Sequence, residues 1–333
     1  MRAVLSKAVG GPESLVLEDI PEPELLPGTV LIDVKACGIN FPDVLVIEDR
    51  YQSKPARPFA PCSEVSGVIR AVGEGVTVFR PGDRVMGNCS FGGLAEVVRT
   101  EPRRLIRMPD AMPFDEGAAF VLAYGTSYYA LKWRGRLKAG ETLLVLGAAG
   151  GVGIAAVELG KAHGARVIAA CSTQEKLDFA RAAGADDGLI YPRGALGRDD
   201  QKALSERFRS ACGPKGPDVI YDAIGGDYAE PAFRSINWDG RYLVVGFAAG
   251  DIPRIPLNLP LLKGADIVGV FWGSWIEADP PGFAQHLDEL KGLYEAGKVR
   301  PRIHARFPLE KGGEAIAQLG DRKVLGKVVV SIG

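Results

Sequence analysis

A chain of 333 residues is longer than one ordinary hydrophobic core sustains and implies about two domains. Forty basic residues against 41 acidic ones leave a net charge of −1, which removes the general electrostatic ground for expecting nucleic acid or an anionic membrane as a partner. No apolar run approaches the roughly 20 residues of a membrane helix. The start, MRAVLSKAVGGPESL, has no signal-peptide apolar region, and five cysteines without a CxxC pair read as the reduced thiols of a cytoplasmic protein.

Residues 1–110 read as β structure. Short runs at Leu15–Glu18, Val30–Ala36, Val65–Val72 and Ala95–Arg99 are separated by Pro, Gly and acidic punctuation. The run GVIRAVGEGVTVFRPGDRV, Gly67 to Val85, alternates apolar and polar positions before turning at Gly73, Gly75 and Pro81-Gly82-Asp83. A compact, barrel-like antiparallel domain accounts for this pattern, with no good helix before about Asp115. Asp115 to Leu131 then has apolar positions at helical spacing after Pro113.

At 143–153 stands LLVLGAAGGVG, a short buried strand running through a glycine cluster into the apolar-periodic stretch Val152 to His163. A dinucleotide pyrophosphate needs this order, because a helix N-terminus offers unpaired N–H groups and glycine lets backbone approach phosphate oxygens. Ala149, Gly150, Gly151, Val152 and Gly153 are the candidate contacts, with Ala148 in place of the first glycine of GxGxxG. Strands near 142–146, 166–170, 188–191, 218–221, 241–246 and 266–269 alternate with helices, which implies an α/β doubly wound parallel sheet of the Rossmann type. From Phe271 onward come one helix, about Pro281 to Ala296, and two strands, the last of them KVVVSI. Two strands alone are not stable, so this tail is expected to fold back onto the first domain.

GVIRAVGEGVTVFRPGDRV, followed by AAGGVG and closed by GKVVV at 326–330, resembles the medium-chain dehydrogenase/reductase superfamily and, within it, the zinc-independent quinone oxidoreductases that include zeta-crystallin. The resemblance spans nearly the whole chain. It implies a GroES-like catalytic domain, 1–122 plus 271–333, a Rossmann NADP-binding domain, 123–270, a cofactor cleft between them, and homodimers paired through the Rossmann sheets. Zinc-dependent relatives place ligands at positions that are here Asn40, Ser63 and an apolar residue near 122; Cys37 comes three residues too early, so no metal is expected. Cys62 reads as a small buried hydrophobe standing where the family usually has glycine.

NAD-binding domains carry an Asp or Glu at the end of the second strand, where it accepts from the ribose 2′-hydroxyl. Here VIAA runs into Cys171, Ser172 and Thr173, so no acid repels a 2′-phosphate; Ser172 can donate to it and Lys176 can supply a countercharge. The family's corresponding tyrosine is Tyr191, and NADPH is the expected cofactor. Without a Lewis acid the acceptor must be activated, such as a quinone or the β-carbon of an α,β-unsaturated carbonyl. By the family's motif, here GINFPD, Asn40 is expected beside the nicotinamide or substrate, where its amide could donate to a developing enolate oxygen. Tyr51, in the loop DRYQSKP, could orient the acceptor or supply a proton; the family often has glycine where Asp49 stands.

By motif, Thr126 is expected near the nicotinamide ribose, and Gly246, Phe247, Phe271, Trp272 and Gly273 on the nicotinamide side, with Lys327 a further candidate for the cleft. His163, His286 and His304 are assigned no catalysis. Two other readings stay open: a 2-alkenal or enoyl-thioester reductase, and an NADPH-binding structural or RNA-binding protein without turnover. Against RNA stand the near-neutral charge and the lack of a basic cluster with interleaved aromatics.

Overall fold

The computed structural model describes residues 1–320 and 322–333. The chain divides into two compact units, one of Met1–Leu122 with Arg300–Gly333, the other of Ala123–Val299.

In the first unit β1 (Arg2–Leu5) and β2 (Val16–Asp19) form an antiparallel pair. They are followed by β3 (Val30–Ile39), β4 (Glu64–Val72), β5 (Arg84–Asn88), β6 (Val97–Thr100) and β7 (Leu105–Arg107). A seven-stranded sheet runs in the order Ile303–Pro308, Lys327–Ser331, β3, β4, β5, β7, with β6 also paired to β3. The C-terminal strand lies antiparallel to β3 with Val328 opposite Ile39, so the tail does fold back into the first unit. Its reason is burial: Val328 and Val330 join a core with Val30, Ile32, Val65, Ile69 and Val85, while Val329 is enclosed with Ala36, Ala118 and Ala119. A helix, Phe41–Ile47, stands where only β structure was expected. Its apolar β-branched run disguised it, and its start is set by the Asp43 carboxylate, which accepts the Asn40 N–H at 2.7 Å.

The second unit holds β8 (Thr142–Leu146), β9 (Arg166–Cys171), β10 (Asp187–Ile190), β11 (Val219–Asp222), β12 (Arg241–Val244) and β13 (Asp266–Gly269). All pair in parallel in the order β10-β9-β8-β11-β12-β13, so the chain leaves β8 first to one side and then to the other. Such a reversal point opens a crevice at the carboxyl ends of its strands. The expected helix at 115–131 is broken into Phe114–Gly117, Val121–Tyr128 and a π-helical turn Tyr129–Arg134, with the i−3 bonds of Ala119 and Phe120 tightening the chain between the first two.

Residues 271–299, expected with the first unit, pack in the second. An unexpected helix, Trp272–Ala278, sets Trp272 over Gly125 and edge-on to Phe283, while Trp275 stacks on Tyr129 with ring centroids 4.6 Å apart. The following helix, Pro280–Glu295, adds a Tyr128–Glu289 hydrogen bond of 2.8 Å. Among the described residues no helix is long and apolar enough to cross a membrane.

Candidate functional site

Each unit carries its own set of chemistry-bearing groups. In the second, β8 ends at Leu146 and the chain turns through Gly147, whose φ of 71° is the left-handed conformation that favours glycine. Gly147 therefore supplies the tight turn that Ala148 was expected to lack. The helix Gly151–Ala162 follows without a side-chain cap. A Cβ on Gly153 would come within 2.1 Å of the Gly147 carbonyl oxygen, so glycine there is what lets the helix close on the turn. The first-turn N–H groups of Gly151, Val152 and Gly153 have no carbonyl one turn back within the helix, and with Ala149 and Gly150 they form a cradle suited to an anion.

The Val152 carbonyl accepts from Ser127 at 2.8 Å, and Ser127 also meets the Tyr221 hydroxyl at 2.9 Å, which brings Thr126, next in sequence, beside the glycine helix. Gly147 touches Ile224, and the Gly246 N–H donates to the Asp222 carbonyl at 3.2 Å. Phe247 packs over Gly225. Gly246 and Phe247 thus stand at the same sheet end as the turn. Phe271 is exposed past β13 and Gly273 lies next to it, but Trp272 turns inward and is only 4% exposed.

At the end of β9 no carboxylate is present; Ser172 is half-buried there, and Lys176 lies in the first turn of the helix Gln174–Ala182, capped by Thr173. Arg193, which sequence reasoning missed, reaches across from beyond β10 and donates to Ser172 Oγ at 3.4 Å. Tyr191 is buried with its ring 4.9 Å from that of Tyr228, whose hydroxyl donates to the Pro192 carbonyl at 2.9 Å. Tyr191 thereby underpins the segment that carries Arg193. Its phenol is raised above its ordinary value by burial. The missed signal was a single cation just past the third strand, which no spacing rule singles out.

The first unit holds a buried polar centre. Glu64, on β4, is fully enclosed; its Oε1 accepts the Leu122 N–H at 2.8 Å, and its Oε2 accepts Asn40 Nδ2 and Lys327 Nζ, each at 2.9 Å. Lys327, 3% exposed, donates also to Asn40 Oδ1 and to the Ile39 carbonyl at 3.2 Å. Both protons of the Asn40 amide are engaged, the second by the Gly38 carbonyl at 3.3 Å. Two expectations change as a result. Asn40 has no free amide proton for a substrate oxygen, and Lys327 has its three donors committed within the unit, because an unpaired buried donor or charge would be costly.

Asp43 is buried beside this centre, and desolvation raises its carboxyl to about 7 despite the Asn40 N–H, Lys327 and the Cys62 thiol, which oppose the shift. Tyr51 is half-buried in the following loop; desolvation, then Asp43, raise its phenol. Asp49 adopts φ 55°, the conformation glycine would take there, and is held by a 2.8 Å ion pair to Arg57, which also donates to the Ile47 carbonyl and to Ser6. The loop thus keeps a glycine-like backbone without glycine. Cys62 also has a positive φ, 68°, which explains why glycine suits the position. Among the described residues no group of three His, Cys, Asp or Glu converges as a metal set.

The second unit thus carries a nucleotide-type parallel sheet with a glycine-turn cradle, and the first a β domain with a buried Asn-Glu-Lys centre. Residues 26–110 match the alcohol dehydrogenase GroES-like domain, and residues 151–289 match the zinc-binding dehydrogenase family model. A quinone oxidoreductase-like protein 2 homolog from Nematostella vectensis is 39% identical over 99% of this chain and 88% of its own. Among solved structures, a mycobacterial protein complexed with NADPH has a TM-score of 0.91 at 28% identity, covering 99% of both chains. The quinone oxidoreductase from Thermus thermophilus, also solved with NADPH, has a TM-score of 0.81 at 30% identity, over 99% of this chain and 100% of its own. The chain belongs to the quinone oxidoreductase family of the medium-chain dehydrogenase/reductase superfamily.

Proposed function

We propose that this protein is a zinc-independent, NADPH-dependent reductase of quinones or α,β-unsaturated carbonyls. The observation that carries the reading is the end of β9: no carboxylate, and Ser172, Lys176 and Arg193 gathered where an adenosine ribose 2′-phosphate is bound in such sheets. The cradle of Ala149, Gly150, Gly151, Val152 and Gly153 fits the pyrophosphate, with Thr126, Gly246, Phe247, Phe271 and Gly273 the residues offered to the nicotinamide end. Relatives solved with NADPH support the same choice. When bound, NADPH supplies the hydride.

In the first unit Tyr51 offers the hydroxyl that orients the acceptor and protonates its oxygen, and Asn40 acts as a positioning residue, tying Glu64 to Lys327 and, through its backbone N–H, holding Asp43. The Lys327 ammonium bonded to Asn40 disfavours a divalent cation there, which supports zinc independence. The free, buried state of all five cysteines suits a reducing cytoplasm.

The test is loss of NADPH absorbance against a panel of quinones, 2-alkenals, cyclic enones and enoyl thioesters, with NADH in parallel. Turnover of quinones or cyclic enones with NADPH favoured supports the reading, whereas turnover confined to 2-alkenals or enoyl thioesters removes the quinone and narrows the acceptor to those unsaturated carbonyls. Tight NADPH binding without any turnover replaces the enzyme reading altogether. Lys176→Ala is expected to weaken NADPH binding by about 1.5–3 kcal/mol, the scale of a charge-assisted hydrogen bond, and to leave NADH affinity unchanged; equal NADPH affinity in the variant removes the contact.

A homodimer belongs to the same proposal. At the open edge β13, the helix Asn258–Lys263 and the preceding residue present Leu257, Leu261 and Leu262 to solvent, with Trp238, Ile252 and Ile267 also exposed. Unpaired edges and apolar patches of this kind are ordinarily covered, and a second copy would extend the sheet. Light scattering is expected to give a dimer, and Leu261→Glu a monomer; a monomeric parent protein removes the assignment.

A further inference from the structure

The end of β11 carries a buried acid that belongs neither to the glycine cradle nor to the end of β9. Asp222 is 2% exposed and closes its strand opposite Val244 of β12. Its Oδ1 accepts the N–H groups of Ile224 at 2.7 Å and Gly225 at 2.9 Å, and its Oδ2 accepts the Tyr242 hydroxyl from β12. Its main-chain carbonyl accepts the N–H groups of Val245 at 2.9 Å and Gly246 at 3.2 Å. One residue therefore holds both the chain leaving β11 and the chain leaving β12.

The two departing segments go on pairing past their strands. Ala248 and Ala249 donate to the carbonyls of Ala223 at 3.2 Å and Ile224 at 2.8 Å, and Gly226 donates to that of Asp251 at 3.1 Å. Gly225 has a φ of 67°, and a Cβ there would meet the Phe247 ring at 2.8 Å, so the ring is seated on bare backbone. Ile224 rests against Gly147, which puts this clasp next to the glycine turn. All of these contacts lie inside the second unit.

From this arrangement we propose that Asp222 is a positioning residue for the nicotinamide half of NADPH, acting through Gly246 and Phe247. The assignment rests on the reading above that those two residues are offered to the nicotinamide, and it adds the group that fixes them. Ordering a loop costs binding free energy, and a clasp that orders it beforehand lowers that cost. Removing the carboxylate leaves two backbone N–H groups and a buried hydroxyl without their acceptor, so both segments are released together. Ser172, Lys176 and Arg193, the groups offered to the adenosine end, stand beyond β9 and β10 on the other side of β8 and keep their places.

The experiment compares two ligands by calorimetric titration: NADPH, and adenosine 2′,5′-bisphosphate, which lacks the nicotinamide. Asp222→Ala is expected to weaken NADPH about tenfold or more while the bisphosphate stays within about twofold of the parent protein. Asp222→Asn is expected to bring NADPH back to within about threefold, since its side-chain oxygen still accepts both N–H groups and its amide can donate to the Tyr242 oxygen. Hydrogen exchange of the ligand-free protein is the second readout. The Gly225, Gly246 and Ala249 amides are expected to be protected in the parent and to exchange about tenfold faster or more in Asp222→Ala. Should Asp222→Ala not fold, Tyr242→Phe, which removes one donor and no backbone bond, is expected to weaken NADPH about threefold with the bisphosphate unchanged. Equal loss of both ligands, unchanged NADPH affinity, no rescue by Asp222→Asn, or unprotected amides in the parent each overturn the positioning role. A parent protein that binds NADPH no better than the bisphosphate overturns the reading of Gly246 and Phe247 and this inference with it, a failure told apart from the others because the parent itself shows it.

Discussion

Replacing Lys327 by methionine is expected to destabilise the protein by about 3–5 kcal/mol, the usual cost of removing one partner from a buried ion pair. The pair is well enclosed, with Glu64 fully buried and Lys327 3% exposed, and the variant leaves the carboxylate with only the Asn40 amide and the Leu122 N–H. Asn40 loses the donor to its Oδ1 at the same time, so its side chain is no longer held in one orientation. Glu64→Gln combined with Lys327→Met should regain most of the loss, because a buried pair is worth little against neutral residues of similar volume. Urea unfolding of the parent, the single variants and the double variant measures this. A Lys327→Met loss below about 1 kcal/mol would place the lysine in solvent rather than in a buried pair.

Gly153→Ala is expected to raise the NADPH dissociation constant by at least tenfold, about 1.4 kcal/mol, and to destabilise the fold by about 1–3 kcal/mol, the usual range for overpacking. The added methyl would lie 2.1 Å from the Gly147 oxygen and 3.0 Å from Ala148 Cα, both backbone atoms that cannot rotate aside. The helix must then move off the turn, and its N–H groups leave the cradle. Gly150→Ala is the control: its Cβ would meet nothing nearer than the Gly147 oxygen at 3.6 Å, and its φ is −78°, open to any residue. Its stability should change by less than about 0.5 kcal/mol, so any loss of NADPH affinity there reports phosphate approach alone. Calorimetric titration beside thermal unfolding separates the two effects, and equal behaviour of the two variants would exclude the close contact at Gly153 as the cause.

Legible in the residues alone were the strand, glycine turn and helix at 142–162, the alternation that builds the parallel sheet, the missing acid after β9 and the return of the last strand to the first domain. These features are written in residues close together along the chain, through periodicity, turn chemistry and the limited means by which two apolar strands can be buried. What Asn40, Asp43 and Lys327 can do depends instead on partners that folding brings to them. Asn40 looked like a donor to substrate until Glu64, 24 residues away, and Gly38 proved to hold its amide protons, and Lys327 looked available until its partner proved to lie 263 residues earlier. Arg193 joined Ser172 because neighbouring parallel strands end side by side, and Trp272 turned inward because it starts a helix packed on Gly125. The physical reason is common to all of these. Local pattern selects helix and strand, but the donors a buried polar group finds, and the water it loses, depend on residues that meet only when the chain has folded.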